Sequence, residues 1–189
     1  MFPLVRIQAE AFGVEVALAY ASADNFTTRP VYRPDAACWL HGDAARALTR
    51  AVELAHPLGL RLRLLDAYRP TEAQWALWAH TPDPEFLADP RSGSAHSRGV
   101  AVDLDLMEMA GGAVLDMGTG FDEFTPRSHH ARTDVSPEAQ RNRLVLLGLM
   151  TAAGWEYNRH EWWHYQLPLA RDRYPLLSDK LLGADTMMG

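Results

Sequence analysis

His96 and Asp103 stand seven residues apart in the segment Ser94-Ala95-His96-Ser97-Arg98-Gly99-Val100-Ala101-Val102-Asp103. Imidazole nitrogen and carboxylate oxygen are both ordinary zinc ligands. A loop that ends at Gly99 and enters a strand could bring the two onto one side. The same pair also reads as a structural hydrogen bond. A second cluster, Glu161-Trp162-Trp163-His164, offers a metal-binding imidazole with a carboxylate close by. A Glu there can act as a general base toward water whose pKa a metal has lowered. The plainer reading is an aromatic strand carrying two satisfied polar residues. A third cluster, Asp66-Ala67-Tyr68-Arg69-Pro70, places Arg69 where a strand becomes a loop. A guanidinium there can stabilise an oxyanion developing on a polarised carbonyl, or simply make a surface salt bridge.

His160-Glu161-Trp162-Trp163-His164 also spells H-E-x-x-H, which binds zinc through both histidines when it lies on a helix. Two Trp flanked by Tyr157 and Tyr165, between Gly154 and Pro168, favour strand instead. On a strand the two histidines would stand about 13 Å apart, too far for one ion. No His and no Glu follows His164, and Leu167 and Ala170 occupy the places where the metzincin extension needs Gly and His. The strand reading has its own difficulty. On an ideal strand Glu161 and His164 face opposite sides, so they converge only if a bulge or turn intervenes.

The elements that must position these residues follow from periodicity. Ala44, Leu48, Ala51, Val52 and Ala55 form one helical stripe between Asp43 and about Pro57, with Gly59 as a stop. Leu60 to Leu64 alternates with Arg61 and Arg63 as a half-buried strand. After Pro70, Thr71 can cap a short helix through Trp78. Residues 91–97 read as a Ser/Gly loop, 100–106 as a strand, and 107–135 as a long loop of the kind that carries function. Ser136-Pro137 opens a helix that runs through Leu144, Leu147 and Met150 to near Gly154. Trp155 to Leu167 reads as two short strands with a turn near Asn158, and Val14 to Tyr20 as a further strand. The order implies an α+β fold, a small antiparallel sheet flanked by helices, in a single domain over 1–189.

The chain has 189 residues, 18 Lys plus Arg against 24 Asp plus Glu, and a formal charge of −6. That balance argues against a general nucleic-acid binder. Cys38 is the only cysteine, which excludes an internal disulfide and a Cys-based zinc finger. The longest uncharged stretch, Leu144 to Trp155, is 12 residues, whereas a membrane span needs about 20. The expectation is a soluble cytoplasmic protein without a signal peptide and without a membrane partner; its oligomeric state is not legible.

Taken together, the clusters resemble the D-alanyl-D-alanine dipeptidases, the VanX-type zinc peptidases, which group with the VanY-type D,D-carboxypeptidases and the hedgehog signalling domain. The resemblance rests on Ser94-x-His96-x-x-Gly99-x-Ala101-x-Asp103, Glu161-Trp162-Trp163-His164-Tyr165 and Tyr68-Arg69-Pro70. Asp116-Met117-Gly118-Thr119-Gly120-Phe121-Asp122 and Tyr20 with Asp24-Asn25-Phe26 extend it. It implies a hedgehog/D,D-peptidase-like fold and one zinc ion on His96, Asp103 and His164. It implies Glu161 as general base and then general acid, and Arg69 as stabiliser of the tetrahedral intermediate. It implies Tyr20, Ser94 and Asp122 near the ammonium of a small dipeptide, with no role for His160. Ser97, Arg98 and Tyr165 are candidates for the substrate carboxylate. Such an enzyme would recycle cell-wall D-Ala-D-Ala or deplete it in vancomycin resistance. The competing expectations are a D,D-carboxypeptidase or endopeptidase on longer peptidoglycan stems, and a non-catalytic zinc module.

Overall fold

Alternation of apolar and charged side chains from Leu60 onward demands a strand with one buried face, and that strand anchors the molecule. The computed structural model describes residues 4–84 and 87–189. Its elements in chain order are β1 (Leu4–Arg6), α1 (Ala9–Phe12), β2 (Glu15–Val16), β3 (Trp39–His41), α2 (Gly42–Ala55), β4 (Leu60–Asp66), α3 (Thr71–His80), β5 (Ala101–Glu108), α4 (Pro137–Ala152), β6 (Glu156–Tyr157), β7 (His164–Gln166) and α5 (Ala170–Arg173). The class is α+β, as the element order implies. The main sheet runs β2-β4-β5-β7-β6, while β1 and β3 pair separately. All main-sheet pairings are antiparallel except β2 with β4, which is parallel. The expected antiparallel sheet therefore has one parallel edge. Of Val14 to Tyr20, only Glu15 and Val16 pair; Ala19–Ala21 coil into a 3-10 turn that buries Tyr20 completely.

The two long helices cover one face of the sheet. The side chain of His41 caps α2 by accepting from the backbone N–H of Asp43 at 3.1 Å. Ala44, Leu48, Ala51 and Ala55 are buried, and the left-handed Gly59 ends the turn that follows. In α4, Ser136 Oγ accepts from the Ala139 N–H at 3.0 Å and Pro137 takes the first helical position. Of the apolar residues along it, Leu144 is 64% exposed. Asn142, Arg143, Leu146 and Met150 point inward. Arg143 does so because its guanidinium donates to the carbonyls of Met117 at 2.6 Å, Arg127 at 2.8 Å and His129 at 3.2 Å. Asn142 donates to Asp116 O at 2.8 Å. These bonds pin the long loop before α4. At α3, Pro70 holds the cap position and Thr71 is the first helical residue; its hydroxyl donates to Glu72 and does not cap.

Register decides which residues share a face. Arg63 lies opposite Asp105 and Leu64 opposite Leu104, but the next pairing is Asp66 with Asp103. The extra residue on β4 is a bulge, and it turns Asp66 to the face that carries Asp103 and Asp105. On β7, His164 pairs with Asp103 and Gln166 with Ala101, so both join that face. The opposite face, with Leu62, Leu64, Val102, Leu104 and Leu106, is buried beneath α2 and α4. One side of the strands thus holds the core and the other the polar groups. No described helix is long and apolar enough to cross a membrane.

Candidate functional site

Asp103 and His164 face each other across β5 and β7, and His96 joins them from a 3-10 turn, 96–98. Gly99 ends that turn at φ 70°, and a Cβ there would lie 2.8 Å from Leu4 Cδ2 and 3.1 Å from the His41 backbone nitrogen. Both the left-handed backbone and the close approach require glycine. His96 Nε2 lies 3.1 Å from His164 Nδ1 and 3.2 Å from Asp103 Oδ2. His164 Nδ1 lies 3.0 Å from Asp103 Oδ1. The far ring nitrogens are also committed: His96 Nδ1 to the Ala67 carbonyl at 2.7 Å, and His164 Nε2 to Gln166 Oε1 at 3.3 Å.

Carbonyl oxygens only accept, so those far nitrogens carry the ring protons and the two facing nitrogens are bare lone pairs. Two lone pairs and a carboxylate in contact repel unless a cation lies among them. The donor set therefore fits a divalent metal, with outer hydrogen bonds fixing each imidazole. These three residues are the group among the described residues that could hold a metal ion. Burial opposes charge on His164, but its hydrogen bond to Asp103 and the charges of Asp103 and Glu161 together raise its pKa. Burial likewise opposes charge on Asp103, yet His96 and His164 hold its carboxyl well below the usual range.

Glu161 sits between two turns and not on a strand. The Asn158 N–H donates to His164 O at 3.1 Å, and the His164 N–H to Glu161 O at 3.3 Å. This turn lets two residues three apart converge. Glu161 Oε2 stands 3.9 Å from His164 Nδ1 and accepts from Asn158 Nδ2 at 2.9 Å. Burial raises the Glu161 pKa, with His164 opposing and Asp103 adding to it. A buried carboxylate with a raised pKa suits proton transfer near neutrality. His160 is exposed and lies with its ring 4.7 Å from that of His129, outside the three-ligand cluster. The H-E-x-x-H spelling therefore has no counterpart in the geometry.

Arg69 is buried at the end of β4. Its Nε donates to Asp66 at 2.7 Å, Nη1 to Gln74 at 3.2 Å and Nη2 to Asp103 at 3.3 Å. Three of its five N–H donors are thus engaged and two remain. Tyr32 holds Asp66 from the other side at 2.8 Å. Arg69, His96, Asp103, Glu161 and His164 line a cavity of about 320 Å³, near the small end of the roughly 300–1,000 Å³ of small-molecule sites. Tyr20, Ser94 and Asp122 line it too. Tyr20 OH donates to Asp122 Oδ2 at 2.7 Å. Asp122 has φ 56°, a strained value for a residue with a side chain. Burial pushes its pKa up and the Asp103 charge adds to this. Ser94 Oγ accepts from the His96 N–H at 3.1 Å, so it holds the ligand-bearing turn.

Of the carboxylate candidates, Arg98 lines the cavity. Ser97 Oγ is buried without a hydrogen-bond partner among the described residues. Tyr165 pairs with Val102 and faces the core, because β alternation turns it away from His164. Sequence reasoning misses Asp66, Gln74, Asn158 and Gln166, which each hold a site side chain in place. Asp66 is signalled by its spacing to Arg69 and Asn158 by its turn preference. The two glutamines carry no local signal.

The site combines a donor set that fits a metal with a buried carboxylate beside it, and the comparisons give the chain its family. The family model for peptidase M15, described as D-Ala-D-Ala dipeptidase, matches residues 3–180, and the chain belongs to that family. It is similar to the D-alanyl-D-alanine dipeptidase of Escherichia coli (strain K12), with 48% identity over 167 residues, 88% of this chain and 85% of that protein. It is also similar to the D-alanyl-D-alanine dipeptidase of Enterococcus faecium, with 35% identity over 82% of this chain and 86% of that protein. The enzyme of that name in Streptomyces coelicolor is 35% identical over the same shares of the two chains.

Proposed function

We propose that this protein hydrolyses the D-Ala-D-Ala dipeptide, using one zinc ion held by His96, Asp103 and His164. The observation that carries the reading is the pair of bare imidazole nitrogens facing each other at 3.1 Å beside a carboxylate, with Glu161 adjoining. When bound, zinc supplies a Lewis acid that acidifies water and polarises a carbonyl. Glu161 takes one proton from the attacking water as its oxygen bonds to the peptide carbon. It returns that proton to the departing amine as the C–N bond breaks. The two free N–H donors of Arg69 stabilise the negative oxygen of the tetrahedral intermediate. Asp122, with Tyr20, receives the substrate ammonium, and Ser94 supports the site beside them.

One hydrophobic cluster runs from Leu4 to Met187, which supports a single domain of the hedgehog/D,D-peptidase kind. A small zwitterionic substrate and a fold with its only cysteine buried and free support a cytoplasmic setting. Glu161→Ala is expected to lose turnover by a factor of about 10² to 10⁴ while keeping stoichiometric zinc. His160→Ala is expected to keep both. Turnover retained in Glu161→Ala, or zinc lost in His160→Ala, would overturn these roles.

A further inference from the structure

A dipeptide carries a carboxylate as well as an ammonium, at most about 7 Å apart along an extended chain of two residues. The acidic end of the cavity accounts for the ammonium alone. Around Asp122 the charged neighbours are Asp103, Arg69 and Glu161. A second charged region lines the same cavity where the turn 96–98 meets α5, and it is cationic. Arg98 and Arg171 both lie there.

Arg98 is buried, and its guanidinium is tied to neutral groups: it donates to the carbonyl of Tyr174 and, at 3.5 Å, to that of Ser92. No carboxylate hydrogen-bonds it among the described residues. Arg171 shares this wall of the cavity with Arg98 and is close enough for the two charges to repel, with Asp172 as the acid nearby. Arg171 is exposed on α5 and makes no hydrogen bond or ion pair among the described residues. Two like charges held side by side, neither neutralised by a paired acid, cost free energy unless an anion completes them. We infer that Arg171, backed by Arg98, forms the subsite that receives the carboxylate of the substrate. This rests on the dipeptidase reading and deepens it. Arg98 presents a fixed charge, locked by backbone carbonyls, and Arg171 closes over the anion from the solvent side. An acid pocket at one end and a cationic pocket at the other select a free dipeptide by both of its termini.

Arg98 holds the segment around Tyr174, so its removal can unfold that region; the test therefore falls on Arg171. In a Glu161→Gln background, which prevents turnover, zinc-loaded protein is titrated calorimetrically with D-Ala-D-Ala and with its C-terminal amide. Arg171→Ala is expected to weaken the dipeptide by about tenfold or more, as for loss of a charge-assisted hydrogen bond, and the amide by less than twofold. Arg171→Lys should fall between. Dipeptide binding unchanged by Arg171→Ala, or both ligands weakened alike, would overturn the subsite. Failure of the dipeptidase reading is visible separately, as dipeptide bound by the subsite but never cleaved by the wild-type chain.

Discussion

A general base works only if its carboxylate is held at one place, and Glu161 is held by Asn158. Asn158 has two tasks. Its Oδ1 accepts from the His160 N–H at 3.0 Å and shapes the turn, while its Nδ2 donates to Glu161 at 2.9 Å. Asn158→Asp separates them, because aspartate keeps the turn acceptor but has no N–H for Glu161 and adds a like charge beside it. The variant should fold, bind zinc and keep KM within about twofold while kcat falls about tenfold or more. Wild-type kcat in that variant would show that the bond to Glu161 does not position it. Arg69 follows the same logic: Asp66, Gln74 and Asp103 fix its plane and leave two donors for substrate.

At the scale of elements, the site depends on two irregular features and one buried cation. The bulge on β4 brings Asp66 round to Arg69, and the turns between β6 and β7 bring Glu161 round to His164. Arg143 on α4 secures the loop that carries Asp122. The periodic elements were legible in sequence: α2 with its alanine stripe, β4, β5, and α4 from its Ser-Pro start. His96, Asp103 and His164, which the structure brings together, were named through the family resemblance, since His96 with Asp103 alone also reads as a structural hydrogen bond. The bulge was not legible, because one inserted residue changes no local propensity. The inward turn of Arg143 was not legible either, because helix periodicity reads a charged residue as solvated, whereas here it satisfies three loop carbonyls. His130 on this same loop has a consequence for stability. Burial, and then the Arg143 charge, push its pKa down to about 4, against about 6.5 when unfolded. As pH falls below 6.5 the unfolded chain takes the proton first, so stability is lost between about pH 6.5 and 4. Allowing for its half-exposure, the loss from pH 7 to 5 is about 1 kcal/mol. Urea unfolding should show that loss shrinking in His130→Phe, which keeps the ring contacts to Tyr157 and Tyr165. An undiminished loss in the variant would assign the acid sensitivity elsewhere.

For the whole molecule, the sheet divides the labour: α2 and α4 bury one face as core, and the other face carries Asp103 and His164, with His96, Glu161 and Arg69 gathered beside them around a small cavity. The chain carries a net charge of −6, yet the small cavity is lined by Arg98 and Arg171 as well as by Asp122, which suits a small zwitterion. A metal on the proposed ligands would stabilise the fold, since β5, β7 and the turn 96–98 each carry one of them. The most direct test is hydrolysis by zinc-loaded protein of D-Ala-D-Ala, L-Ala-L-Ala and a pentapeptide ending in D-Ala-D-Ala, each repeated after chelation. The expected result is cleavage of the D,D-dipeptide alone, abolished by chelation and restored by zinc. Cleavage of the pentapeptide would make the protein a carboxypeptidase, and no cleavage of any peptide with zinc bound would contradict the enzymatic reading altogether.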